Sequence, residues 1–177
     1  MSSLEQALAG RLSEWEGLDP GLTEESLGAL LGRSYDTWPR QPARLAGQFV
    51  TNREWRREGE RPQVVRAWFE GEAPEVLMVD LEEPPADLDP DEIPARWGPP
   101  DREEPGRRYV PDGWTTELVY LGRGAALTVV RPFENDPSFP QFKPRIAVAQ
   151  LFEPTDLQGF IVRYGGNDRP GPSHPLP

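Results

Sequence analysis

Apolar residues recur at helical spacing over residues 3–15, where Leu4, Ala7, Leu8, Leu12 and Trp15 fall on one side. Ser2, followed three residues on by Glu5, supplies a capping box for this N-terminal helix. A second helix is predicted over 23–31. Thr23 caps it, Leu27, Leu30 and Leu31 form its apolar face, and Gly32 ends it. After a Pro-rich loop at Trp38–Pro42 the pattern changes. Gln48–Arg57, Gln63–Glu70 and Glu75–Glu82 are rich in β-branched or aromatic residues and bounded by Gly or Pro, as strands are. Within the second of them Val65, Ala67 and Phe69 share one face, and Arg66 and Trp68 share the other.

An acidic, Pro-containing stretch at Glu82–Glu92 then leads into a short helix over 90–97. Asp89 is its cap, Pro90 its first residue and Gly98 its stop. Three more strands are expected at Thr115–Leu121, Ala125–Arg131 and Arg145–Phe152. Residues 165–177 contain almost no apolar side chain and are expected to form a disordered or extended Pro-rich tail.

The order helix, helix, three strands, short helix, three strands invites a repeat search. Leu18-Asp19-Pro20 recurs 70 residues on as Leu88-Asp89-Pro90. Val76–Pro84 recurs at the same shift as Ile146–Pro154, and Val64-Val65-Arg66 matches Val129-Val130-Arg131 at a shift of 65. The expected architecture is therefore α+β, with two tandem helix–antiparallel-sheet units of about 70 residues. The boundaries are an N-terminal helix at 1–17, unit 1 at 18–87, unit 2 at 88–164 and the tail at 165–177.

Trp97-Gly98-Pro99-Pro100-Asp101, then Glu117–Tyr120, then Ala126–Val129, resembles the helix-then-sheet unit shared by β-lactamase inhibitory proteins and BamE-like outer-membrane assembly lipoproteins. The resemblance spans roughly residues 18–156 and implies a curved sheet used as a protein-binding face. The chain lacks the lipoprotein cysteine, the inhibitors' disulfides and a secretion signal, so export and those proteins' targets do not carry over.

Composition narrows the chemistry. The chain has 177 residues, a net charge of -11 and no cysteine, which removes disulfides, thiolate nucleophiles and Cys metal sites. The charge repels phosphate backbones and favours a basic protein partner, so direct nucleic-acid binding is not expected. No apolar run approaches the ~20 residues needed to span a bilayer, and no signal peptide is evident, so a cytoplasmic location is expected.

The single histidine, His174, lies in the tail, which removes Ser-His-Asp triads and His metal sites. Asp87-x-Asp89-x-Asp91 starts like a calcium loop, but Glu92 stands where the loop needs Gly and Gly98 where it needs a bidentate acid. Gly122-Arg123-Gly124 starts like a dinucleotide fingerprint but joins two strands, so a hairpin turn is expected. Neither catalytic residues nor cofactors or metals are expected.

Two arginine clusters remain, Arg53, Arg56, Arg57 and Arg61 around Trp55, and Arg102, Arg107 and Arg108. Interleaved glutamates make surface ion pairing their expected role. Aromatic and Arg side chains on the outer face of a sheet have the composition of protein-binding hot spots. Trp55, Arg66, Trp68, Tyr120 and Phe152 are the candidate partner-binding residues, with burial beneath the N-terminal helix or the long loops as the alternative. The expected function is a non-enzymatic protein-binding module of inhibitor or immunity type. The alternatives are a scaffold component docking through its tail, and a hydrolase working through paired carboxylates. Oligomeric state is not legible.

Overall fold

The computed structural model describes residues 2–45, 47–59, 62–106, 113–133, 138 and 140–165. The tail from 166 onward with His174, and likewise Arg61, Arg107 and Arg108, lie outside the described residues.

The fold is α+β. Two helices, α1 (Ser3–Leu8) and α2 (Glu24–Leu31), precede strands β1 (Asp36–Thr37), β2 (Gln41–Leu45), β3 (Gln48–Arg57), β4 (Gln63–Glu70) and β5 (Val76–Glu82). Helix α3 (Ile93–Trp97) leads into β6 (Arg102–Pro105), β7 (Gly113–Tyr120), β8 (Ala125–Pro132) and β9 (Arg145–Phe152), and α4 (Leu157–Tyr164) closes the described chain. The nine strands form one antiparallel sheet in the order β1-β3-β4-β5-β9-β8-β7-β6, with β2 also on the outer side of β3. Two meanders thus meet at β5 and β9, where Asp80 stands opposite Gln150.

The helix caps form as expected. Ser2 and Glu5 make a reciprocal capping box on α1, Thr23 caps α2, and Gly32 ends it at φ +66°. The N-terminal helix is shorter than its apolar pattern predicts. It stops at Leu8, and Leu12–Glu14 form a separate 3-10 turn. Gly10 breaks it at φ +88°, and its carbonyl accepts a hydrogen bond from the Asp87 amide at 2.9 Å. Contact with the acidic stretch therefore overrides the continuous pattern.

Both outer edges are short and blunted. β2 carries Pro42 and Arg44, and β6 is Arg-Glu-Glu-Pro, residues that resist pairing with another chain.

One face of the sheet packs beneath the N-terminal segment that carries α1 and α2, and beneath α3. Leu4, Trp15, Leu27, Ile93, Phe69 and Leu127 are among the side chains of this main core. The other face holds a second core of Leu45, Val50, Trp68, Met78 and Phe152, closed by Phe160 and Tyr164 of α4. Val65 lies in the main core while Val130 packs with Ala147 and Val148 in a third cluster. The two thus face opposite ways, β8 carrying a register shift between Thr128 and Val129. Among the described residues no helix is long and apolar enough to cross a membrane.

Candidate functional site

Strand alternation brings Glu54, Arg66, Asp80 and Gln150 into one row across β3, β4, β5 and β9. Arg66 is 5% exposed and binds Glu54 through Nε at 3.1 Å and through Nη2. Its Nη1 lies 3.3 Å from Glu82 Oε1. Asp80 is 1% exposed and accepts from Trp68 Nε1 at 2.9 Å. Burial pushes the Asp80 carboxyl up to about 6, against the opposing pull of Trp68, Arg66 and Gln150. For Glu54 burial acts in the same direction, but the guanidiniums of Arg66 and Arg56 outweigh it and hold the carboxyl below its ordinary value. This row is an ionic strut across the sheet in which Asp80 Oδ1 is buried without a hydrogen-bond partner.

A different arrangement lies at the outer edge of β3. Trp38 follows β1, donates its amide to the Glu54 carbonyl at 2.9 Å, and is 41% exposed. The Arg56 guanidinium stacks on its ring at 5.1 Å while Nε binds Glu54 at 2.5 Å. On the same strand Arg53 stacks on Trp55 at 5.6 Å, and Arg57 on Tyr35 at 5.5 Å. Glu24, in the first turn of α2, binds both Arg53 and Arg40. Burial favours its protonated form, but the two arginines outweigh that and hold its carboxyl below the ordinary value. Next to this cluster is an open depression of about 480 Å³ lined by Glu24, Gly28, Tyr35, Arg53, Trp55 and Pro74.

All five candidate residues from the sequence are buried, at 5% exposure or less. Trp55 and Tyr120 belong to the main core beneath the helices, and Tyr120 meets Trp97 edge-on at 5.2 Å. Burial raises the Tyr120 hydroxyl to about 12. Arg66, Trp68 and Phe152 lie on the opposite face, Arg66 inside the ionic row and the two aromatics beneath α4. The expected open outer face is therefore covered in this fold; burial beneath the N-terminal segment describes Trp55 and Tyr120, whereas Trp68 and Phe152 lie beneath α4, a helix not expected from the sequence. Among the described residues the exposed large rings are Trp38, Phe49 and Trp114. Their signal in sequence is slight: a Trp before Pro39 in a loop, and rings at the starts of β3 and β7.

Arg56 pairs with its neighbour Glu54 as expected, whereas Arg53 pairs with Glu24, distant in sequence. The Asp87–Asp91 stretch serves as anchor and cap. Asp87 binds the amide and hydroxyl of Ser13, which together outweigh burial and hold its carboxyl low, and Asp89 caps the turn before α3. Among the described residues no group of three or more acids or imidazoles could hold a metal ion. No known protein family, curated protein or solved structure matches the chain.

Proposed function

We propose that the chain is a non-enzymatic protein-binding module of inhibitor or immunity type, acting in the cytoplasm by occluding another protein. The observation that carries this reading is Trp38, 41% exposed and stacked under Arg56 at a sheet edge that Pro42 and Arg44 close to strand pairing. An exposed indole held by a guanidinium is the composition of an interface anchor. The neighbouring Arg53 and the depression beside α2 extend the same surface. The net charge of -11 sets a field that attracts a basic protein and repels nucleic acid. The raised acid a hydrolase would need, Asp80, is sealed and engaged with Trp68 and Arg66, which favours the binding reading over the carboxylate enzyme.

The two halves are, in this proposal, tandem copies of one unit, built like the paired units of β-lactamase inhibitory proteins. Support comes from three places. Leu18 and Leu88, 70 residues apart, are both buried in the main core. Asp80 pairs with Gln150, its mate at the same shift, as a two-fold relation across β5 and β9 requires. A shift of 65 takes exposed Phe49 to exposed Trp114, and buried Trp55 to buried Tyr120.

The test uses the full chain as bait in lysate of its source organism, beside the double variant Trp38→Ala/Arg56→Ala. A stoichiometric protein retained by the first and lost by the second is expected, with weaker capture at higher salt. Recovery of nothing at low and moderate salt, or equal capture by both baits, would sink the proposal.

A further inference from the structure

Helix α2 carries a glycine in its interior, Gly28, and a second glycine, Gly32, ends it. Gly32 answers to the helix stop, at φ +66°. Gly28 has no such reason. A glycine inside a helix weakens it relative to alanine. No packing within the chain calls for it either, because a Cβ at Gly28 would meet no other segment within 4 Å. Glu25, Gly28 and Gly32 stand at i, i+3 and i+7, on one face of the helix. That face lines the depression beside α2, together with Tyr35, Arg53 and Trp55.

The polar side chains of this depression are engaged, with one exception. Glu24 holds both Arg40 and Arg53. Arg53 Nε also donates to the Thr37 hydroxyl at 2.9 Å, and the Tyr35 hydroxyl donates to Gln63. Arg57 lies on the Tyr35 ring at 5.5 Å. The Glu25 carboxylate is exposed and has neither a hydrogen-bond nor an ion-pair partner among the described residues. The depression thus combines a bare strip of helix backbone, an aromatic wall and one carboxylate without a counterion.

We infer that this depression receives an arginine side chain from the protein that the Trp38 edge recognises. The inference rests on the protein-binding reading and specifies the partner's chemistry. A guanidinium offers Glu25 two parallel N–H donors and stacks against Tyr35, while its methylene stem runs along the backbone that Gly28 leaves bare. A neutral side chain would leave the carboxylate unanswered, and an anionic one would oppose it. The net charge of -11 draws such a cation toward the surface.

The probe is a blocked glycine–arginine–glycine peptide, titrated into the ¹⁵N-labelled full chain. Beside it runs the same peptide with citrulline, which keeps the shape and removes the charge. Saturable shifts are expected in the Gly28 and Gly32 amides and the Trp55 indole N–H, with a dissociation constant on the order of mM. The citrulline peptide should bind at least ~3-fold more weakly, a difference that an exposed ion pair can supply. In Glu25→Gln that preference should vanish. In Gly28→Leu, which fills open space, the shifts themselves should be lost. No saturable shifts at those positions, equal binding of the two peptides, or shifts that survive Gly28→Leu would overturn the inference. Gly28→Leu also serves as bait in the lysate, where weaker capture of the partner is expected. Undiminished capture would remove the arginine pocket and leave the Trp38 surface standing. Failure of the Trp38 surface shows separately, in the Trp38→Ala/Arg56→Ala bait.

Discussion

Asp80 shows how one residue can be costly and still define a fold. Burial penalises its charge, so its folded-state value of about 6 stands above the ordinary 3.8. A carboxyl whose folded value is raised takes up its proton more readily in the folded chain. Its contribution to stability is then greatest at low pH and is lost as pH rises through about 6. Between pH 5 and 7.5 this one group should lower the unfolding free energy by ~1 kcal/mol. Glu24, Glu54 and Asp87 act the other way, because their folded values are depressed and their stabilisation is lost as pH falls. Asp80→Asn keeps an acceptor for Trp68 and leaves Arg66 paired with Glu54 and Glu82. Denaturant titrations at the two pH values should show the variant losing less stability than the parent as pH rises. An identical loss in both would remove Asp80 as the source.

At the scale of elements, the β7–β8 connection is a tight joint. Gly124 adopts a left-handed conformation at φ +61°, and a Cβ there would stand 2.0 Å from the Phe152 carbonyl oxygen. Its own carbonyl accepts from the Phe152 amide at 2.8 Å. Gly124→Ala should therefore cost more than ~2 kcal/mol in a denaturant titration, combining left-handed strain with a clash against backbone. A loss below ~0.5 kcal/mol, the level of a neutral surface change, would show that the turn relaxes freely. The turn was legible in Gly122-Arg123-Gly124, and β3, β4 and β9 fall at their expected ends, because alternation between Gly and Pro boundaries specifies such strands locally. β2 and β6 were not legible. Gln-Pro-Ala-Arg-Leu and Arg-Glu-Glu-Pro carry the features that guard sheet edges, and those features erase the strand pattern. α4 was hidden by Gly159, Ile161 and Val162, although Asp156 as cap and the Phe160–Tyr164 spacing were there to be found.

The same limit applied to the candidate site. Alternation shows which side chains share a face, and it correctly separates Val65, Ala67 and Phe69 from Arg66 and Trp68. It says nothing about what covers that face. The covers are distant in sequence: the N-terminal segment over Trp55 and Tyr120, and α4 over Trp68 and Phe152.

At the scale of the whole molecule, a single antiparallel sheet is buried on both faces. The N-terminal segment is tied to the second meander by Trp15, whose Nε1 donates to the Arg123 carbonyl at 2.7 Å while Arg123 donates back to the Trp15 carbonyl at 2.7 Å. With both faces covered and both outer strands blunted, recognition in this account falls to what projects at the β1–β3 edge. The measurement that tests this most directly is hydrogen exchange of the full chain, free and in complex with the protein it captures. The account predicts slower exchange in the complex across residues 36–41 and 53–57, around Trp38 and Arg56. Unchanged exchange there, in a complex that demonstrably forms, would contradict it.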